Sequence, residues 1–250
     1  DVAIVKFALN LECLEAQFYS YAAFGHGLSD EQRGHGPEPI GGRKANLTPV
    51  ATAQAYAEEI ANNEIAHVAA LRTVLGDQAP PCPLIDIGPA FAAAANAAAG
   101  TELVPPFSPY RSDALFVVGA FLFEDVGVTA YNGMAPLIEN KDVLGAATGI
   151  LAIEAYHGGS VRTLLYQQGD VTLAPYAFTV ADAVASISAL RAALGGGKDA
   201  ALTTGDGGAP SVFPADANAL AFARTTQEVL AIVYLGSADA PGGFFPDGVS

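Results

Sequence analysis

Glu154-Ala155-Tyr156-His157, inside the apolar run of residues 140–168, repeats the spelling of Glu64-Ile65-Ala66-His67 in the Ala-rich run that ends at Gly76. The chain holds 4 His, and two of them close this pattern. On a helix, residues three apart share a face, so each copy aims a carboxylate and an imidazole into one space. A hard oxygen beside a borderline nitrogen suits a transition metal. One Glu-x-x-His is a weak signal, and the second copy in another apolar helix gives it weight. The competing reading of His67 and His157 is a pair of core histidines hydrogen-bonded to carboxylates.

Helical patterns surround both copies. Residues 3–24 place apolar side chains at Ile4, Phe7, Leu11, Leu14, Phe18 and Tyr21, a wide stripe with helical period. Residues 25–46 are rich in Gly, aperiodic, and read as a long loop with one turn near Ser29 to Gln32. Thr48 as N-cap and Pro49 at the first helical position predict the start of the second helix. From residue 77 to 111 come Pro80, Pro81, Pro83, Pro89, Pro105, Pro106 and Pro109, around a short helical run at 90–99. Such a connection can cross the length of a bundle. The third helix opens at Ser112 or Asp113 and ends at Asn132-Gly133, and the fourth spans about 140–168.

Beyond Gly169 the pattern changes. Residues 179–194 read as a helix stopped by Gly195-Gly196-Gly197, followed by a Gly/Asp/Thr-rich loop to Pro214. A further helical region follows, divided or continued at Thr225-Thr226-Gln227-Glu228, a capping-box spelling. The tail Pro241-Gly242-Gly243-Phe244-Phe245-Pro246 reads as a cap whose order the sequence leaves open. The expected architecture is all-α: a four-helix bundle at 1–169, with a long crossover between helices two and three, and a helical C-terminal extension at 170–250.

A hydrophobic fraction of 51% over 250 residues supports a sizeable core. Lys+Arg 11 against Asp+Glu 26 leaves a net charge of −15, a field that repels phosphate backbones and argues against nucleic acid as a partner. The most apolar stretch, 114–123, runs into Glu124 and Asp125, so no membrane span is expected. The chain begins at Asp1 without an initiator Met, which fits a processed mature form or a chain trimmed at its start. Cys13 and Cys82 match no zinc or redox spacing. In an oxidising compartment they could form one disulfide; two buried thiols is the preferred reading, because Cys13 is mid-helix and Cys82 must fold back to reach it.

If two helices supply Glu-x-x-His, the other two should supply carboxylates at matching depth. The third offers Glu124, with Tyr131 seven residues later; the first offers Glu12, with Tyr19 seven later, and also Glu15. The match between Glu12…Tyr19 and Glu124…Tyr131 favours Glu12, since Gly127 stands where Glu15 would correspond. The candidate ligand set is Glu12, Glu64, His67, Glu124, Glu154 and His157, with Glu15 as the alternative to Glu12. Four carboxylates balance two divalent ions, the arrangement of di-iron and di-manganese carboxylate bundles. Asp125 is read either as orienting an imidazole or as exposed surface. Tyr19 and Tyr131 are read as core aromatics or as hydrogen-bonded neighbours of the site. His26 and His35 are loop histidines, Gly195-Gly196-Gly197-Lys198 is a helix terminator rather than a phosphate loop, and no Ser/His/Asp set can be assembled.

The segment Leu9-Asn10-Leu11-Glu12-Cys13-Leu14-Glu15-Ala16-Gln17-Phe18-Tyr19 resembles the plant desiccation-related proteins and similar fungal stress-response proteins with a ferritin-like domain. So do Glu64-Ile65-Ala66-His67, Glu228-Val229-Leu230-Ala231-Ile232-Val233-Tyr234 and Gly242-Gly243-Phe244-Phe245-Pro246. The resemblance implies a ferritin-like bundle, two iron or manganese ions as cofactors, a link to stress, and a secreted or wall-associated location. It supplies no reaction. Peroxide or dioxygen handling by a di-metal oxidoreductase of catalase or peroxidase type is one expectation. The other is a non-catalytic stress protein acting by hydration, wall association or metal sequestration. Storage of iron in a many-subunit shell ranks third, and homo-oligomer formation is left open.

Overall fold

In the computed structural model, which describes residues 1–48, 52–202 and 211–250, two helices are buried almost all round and two along a single stripe. In α1 (Val2–Phe24) every residue from Phe7 to Ser20 is buried, and in α4 (Asp113–Met134) every residue from Leu115 to Gly127. A helix apolar on all faces belongs at the centre of a fold. In contrast, α2 (Thr52–Leu75) buries Ala57, Ile60, Glu64, His67, Leu71 and Leu75. Likewise α5 (Lys141–Gln167) buries Ala147, Ile150, Glu154, His157, Val161 and Leu165. Both stripes have helical spacing, and both Glu-x-x-His copies lie on them.

Which residues meet fixes the helix directions. Tyr19 meets Glu124 and Tyr131 meets Glu12, so α1 and α4 are antiparallel. Glu12 meets His67, and Ile4 shares a small cavity with Leu71 and Val74, so α1 and α2 are antiparallel. Glu124 faces His157 while Gly127 faces Glu154, so α4 and α5 are antiparallel too. The order is up, down, down, up, and the link from α2 to α4 therefore travels the bundle's length. By length and composition α4 with the turn after it could cross a membrane; 89% of its most apolar 18 residues are buried inside the protein, as a central bundle helix requires.

The crossover starts with a 3-10 turn (Gly76–Gln78) and contains α3 (Pro89–Ala99), which opens on Pro89 and closes on Gly100 at φ +66°. It also corrects the reading of the cysteines: Cys13 and Cys82 form a disulfide, with Cα atoms 5.9 Å apart. The loop after α1 carries Cys82 to the middle of that helix. Its buried Arg33 donates to the Gly36 carbonyl at 3.1 Å, and the Arg33 carbonyl accepts from the Cys82 amide at 2.9 Å. Ile40 pairs with the strand-like segment at Ile85 and Ile87. A stretch read as aperiodic loop is thus a cradle for the crossover. Pro49 lies outside the described residues; the Thr48 hydroxyl donates to Asp113 at 2.6 Å, tying the approach to α2 to the first turn of α4.

The extension contributes α6 (Val180–Leu194) and α7 (Thr226–Val233), opened by capping boxes at Thr179/Asp182 and Thr225/Glu228. The helical region expected between Pro214 and Thr225 is absent among the described residues. That segment instead bonds to α4: the Asn132 amide donates to the carbonyls of Ala221 and Phe222 at 2.8 and 3.1 Å, and the Arg224 amide donates to the Thr129 carbonyl at 3.0 Å. Backbone groups committed to α4 cannot close a helix of their own. The tail is ordered, with Phe244 and Phe245 buried and Phe244 edge-on to Phe91 and Phe123.

The hold of α6 on the bundle is apolar at Val180 and Val184 and polar at Arg191. Between α3, α4 and α6 lies an apolar cavity of about 280 Å³, left by small side chains such as Ala94, Ala98, Gly119 and Ala183. Across this loosely filled joint, Asp125 of α4 pairs with Arg191 of α6 at 2.6 Å and with Arg162 of α5 at 2.8 Å. Asp199 in turn pairs with Arg191 and Arg224 at 2.9 and 3.2 Å.

Candidate metal centre

Five glutamates and two histidines converge at the middle of the four bundle helices, and all seven are buried. Glu12 on α1, Glu64 and His67 on α2 and Glu154 on α5 have ligand-capable atoms within 4.8 Å of one another. His67 Nδ1 lies 3.1 Å from Glu12 Oε2 and 3.2 Å from Glu64 Oε2. On the other side, Glu124 lies within the same limit of Glu154 and Glu15. His157 Nδ1 is 3.5 Å from Glu124 Oε2 and 3.1 Å from Glu64 Oε1, the latter without the alignment of a hydrogen bond. Glu64 and Glu154, one from each Glu-x-x-His, sit between the two halves.

The two tyrosines crosslink those halves. Tyr19 of α1 donates its hydroxyl to Glu124 of α4, and Tyr131 of α4 donates to Glu12 of α1. The seven-residue spacing places each tyrosine two turns beyond its own glutamate, and antiparallel packing delivers it to the glutamate of the partner helix. Burial, then the neighbouring carboxylate, pushes both phenols well above the ordinary tyrosine value. They stay protonated and donate.

The carboxylates repel each other. Burial raises Glu15, Glu64 and Glu154 well above the usual range, and the adjacent negative charges raise them further. Burial also pushes Glu12 upward, but its hydrogen bond to His67 and the charge of that ring bring it below the ordinary value. Glu15 Oε2, Glu64 Oε1, Glu124 Oε2, both Glu154 oxygens and His157 Nδ1 have no hydrogen-bond partner among the described residues. Buried polar atoms are almost always partnered, and buried charges are paired or coordinate metals. A carboxylate-rich set with two imidazoles, its free atoms converging, fits one or two transition-metal cations.

The structure thus brings together all six residues of the candidate set, and Glu15 as well. Of the two alternatives for the first helix, Glu12 lies with the His67 half and Glu15 with the Glu124 half. Asp125 follows neither sequence reading: it is buried, and it holds Arg162 and Arg191 rather than an imidazole. His26 and His35 lie in the first loop, where His35 meets Asp30 at 2.6 Å. Asn63 went unnoticed in the sequence, though it precedes Glu64 in the motif; its amide meets His157 Nε2 at 3.1 Å. The atom placed there is Asn63 Nδ2; for Nε2 to carry the proton and leave Nδ1 free to ligate, the amide turns over to present its oxygen instead.

Comparison with known proteins agrees with this architecture. A family model described as "Ferritin-like domain" matches residues 1–167. "Ferritin-like catalase Nec2" of Nesocodon mauritianus is 34% identical over 261 residues, covering 99% of this chain and 83% of that protein. "Desiccation-related protein PCC13-62" of Craterostigma plantagineum is 36% identical over 259 residues, covering 98% and 82%. No solved structure gives a significant match.

Proposed function

This chain belongs to the ferritin-like domain family, and on that footing we propose that it is a stress-related dinuclear metal protein that breaks down hydrogen peroxide. The observation that carries the reading is the ring of unpartnered ligand atoms on Glu64, Glu124, Glu154 and His157. Glu12 and His67 would hold one iron or manganese ion, and Glu124 and His157 the other. Glu64 and Glu154 would lie between them. When bound, such a pair supplies two-electron chemistry, by which one peroxide is reduced to water and another oxidised to dioxygen.

The chain's own residues set the conditions. Tyr19 and Tyr131 fix one oxygen each of Glu124 and Glu12 and leave the other oxygen of each carboxylate toward the cluster. The surrounding core excludes bulk water, which strengthens every charge interaction inside it. A neutral substrate such as peroxide is indifferent to the net charge of −15. The disulfide supports a secreted or wall-associated location, since such bonds persist in oxidising compartments. The name of the relative from Nesocodon mauritianus supports the catalase reading, and that of the relative from Craterostigma plantagineum the link to stress.

The test is metal analysis of the purified full chain together with oxygen release from peroxide. Two ions of iron or manganese per chain with oxygen evolution, lost in Glu64→Ala, is the expected result. Two ions per chain and no peroxide turnover would leave a metal-sequestering stress protein, the reading that the desiccation-related relative favours.

A further inference from the structure

The cluster is less symmetric than its sequence repeat. If α1 is laid on α4 so that Glu12 matches Glu124 and Tyr19 matches Tyr131, then Glu15 falls on Gly127. One half of the pair carries an extra carboxylate where the other carries no side chain. The two facts are linked in space. A Cβ at position 127 would come 2.2 Å from Glu154 Oε2 and 3.3 Å from Glu15 Oε1, so the missing side chain makes room for both carboxylates. Glu15 leaves the half containing Glu12 and lies with Glu124 and Glu154, its ligand-capable oxygen within 4.8 Å of theirs. It is 5% exposed, and its Oε2 has no partner among the described residues.

We propose that Glu15 is a fifth carboxylate ligand belonging to the Glu124/His157 position, and that the two metal positions of this chain are therefore inequivalent. This rests on the dinuclear reading above. With Glu64 and Glu154, which sit between the halves, counted for both, the His157 position draws on four carboxylates, Glu15, Glu64, Glu124 and Glu154, and the His67 position on three, Glu12, Glu64 and Glu154. An added carboxylate strengthens attraction for a cation and shifts the donor set toward hard oxygen, which suits Mn²⁺ or Fe²⁺. The Glu124 position fills first and binds more tightly. Five carboxylates against two divalent ions also leave one negative charge.

The experiment titrates the metal-free full chain with Mn²⁺ and counts free ion by its electron paramagnetic resonance signal. The wild-type chain is expected to take up two ions in two separated steps. Glu15→Gln, which keeps the shape and removes the charge, should weaken the tight step by at least the roughly ten- to hundredfold that loss of an outer partner of a ligand costs, and leave the weak step in place. Glu12→Gln should do the reverse. Circular dichroism of each variant checks the fold, and either variant alone decides the matter. Unchanged stepwise affinities in Glu15→Gln, or loss of the tight step in Glu12→Gln, would overturn the assignment while leaving the dinuclear reading standing. A wild-type chain that takes up no Mn²⁺ overturns both.

Discussion

At the scale of single residues, the tyrosine cross-brace makes the sharpest demand. Each hydroxyl is the donor that keeps a buried glutamate oriented, and hydrogen bonds to charged groups contribute about 1.5–3 kcal/mol. Tyr19→Phe and Tyr131→Phe are each expected to lower stability by that amount in urea unfolding. The two losses should be similar, because the contacts are reciprocal across α1 and α4. A silent substitution at either position would show that its glutamate does not depend on the brace. The six-residue set was legible in the sequence because helical spacing is rigid: once Glu64 and His67 share a face, so do Glu154 and His157. The place of Glu15 was not, since Glu12 and Glu15 lie on the same face of α1 and only the packing of α4, with Gly127 opposite, decides where the second carboxylate goes.

At the scale of elements, local chemistry marked the helix ends well. Ser112, Asn140, Thr179 and Thr225 each accept a hydrogen bond from the first turn they precede. Sequence reasoning failed where a segment's partners are remote. Residues 215–224 have the composition of a helix, but their backbone is taken up by Asn132 and Thr129. Cys82 reaches Cys13 only because the first loop holds it there. The joint between α6 and the bundle was equally invisible, since the buried arginines and Asp125 lie far apart in the chain. Asp125→Ala would leave the guanidinium of Arg162 buried without its carboxylate and deprive Arg191 of one of two. The expected cost is about 3–5 kcal/mol, visible in thermal unfolding. If α6 is held mainly by apolar contact, the loss will be far smaller.

At the scale of the whole molecule, the carboxylate cluster and the disulfide act on stability in opposite senses. Glu15, Glu64 and Glu154 have raised folded-state values. A raised group contributes stability that is fully present below its unfolded value, about 4.3, and is lost as pH climbs through the folded one. Glu12, lowered, runs the other way, with its contribution lost on acidification. Three groups outweigh one, so metal-free protein should lose thermal stability as pH rises from about 5, and added Mn²⁺ or Fe²⁺ should flatten the curve. A metal-free chain that gains stability over that range would contradict the cluster's electrostatics. The disulfide closes a separation of 69 residues, for which the chain-entropy account gives about 4 kcal/mol. Cys82→Ser should lower the unfolding free energy by about that much, measured by denaturant titration. The same bond also orders events during synthesis. Cys13 and Cys82 are both made before any of α4, whereas the cluster is incomplete until His157 has been made. In an oxidising compartment the staple can be set while the nascent chain offers only Glu12, Glu15, Glu64 and His67, so the first half waits, already fastened, for the second to deliver the remaining ligands.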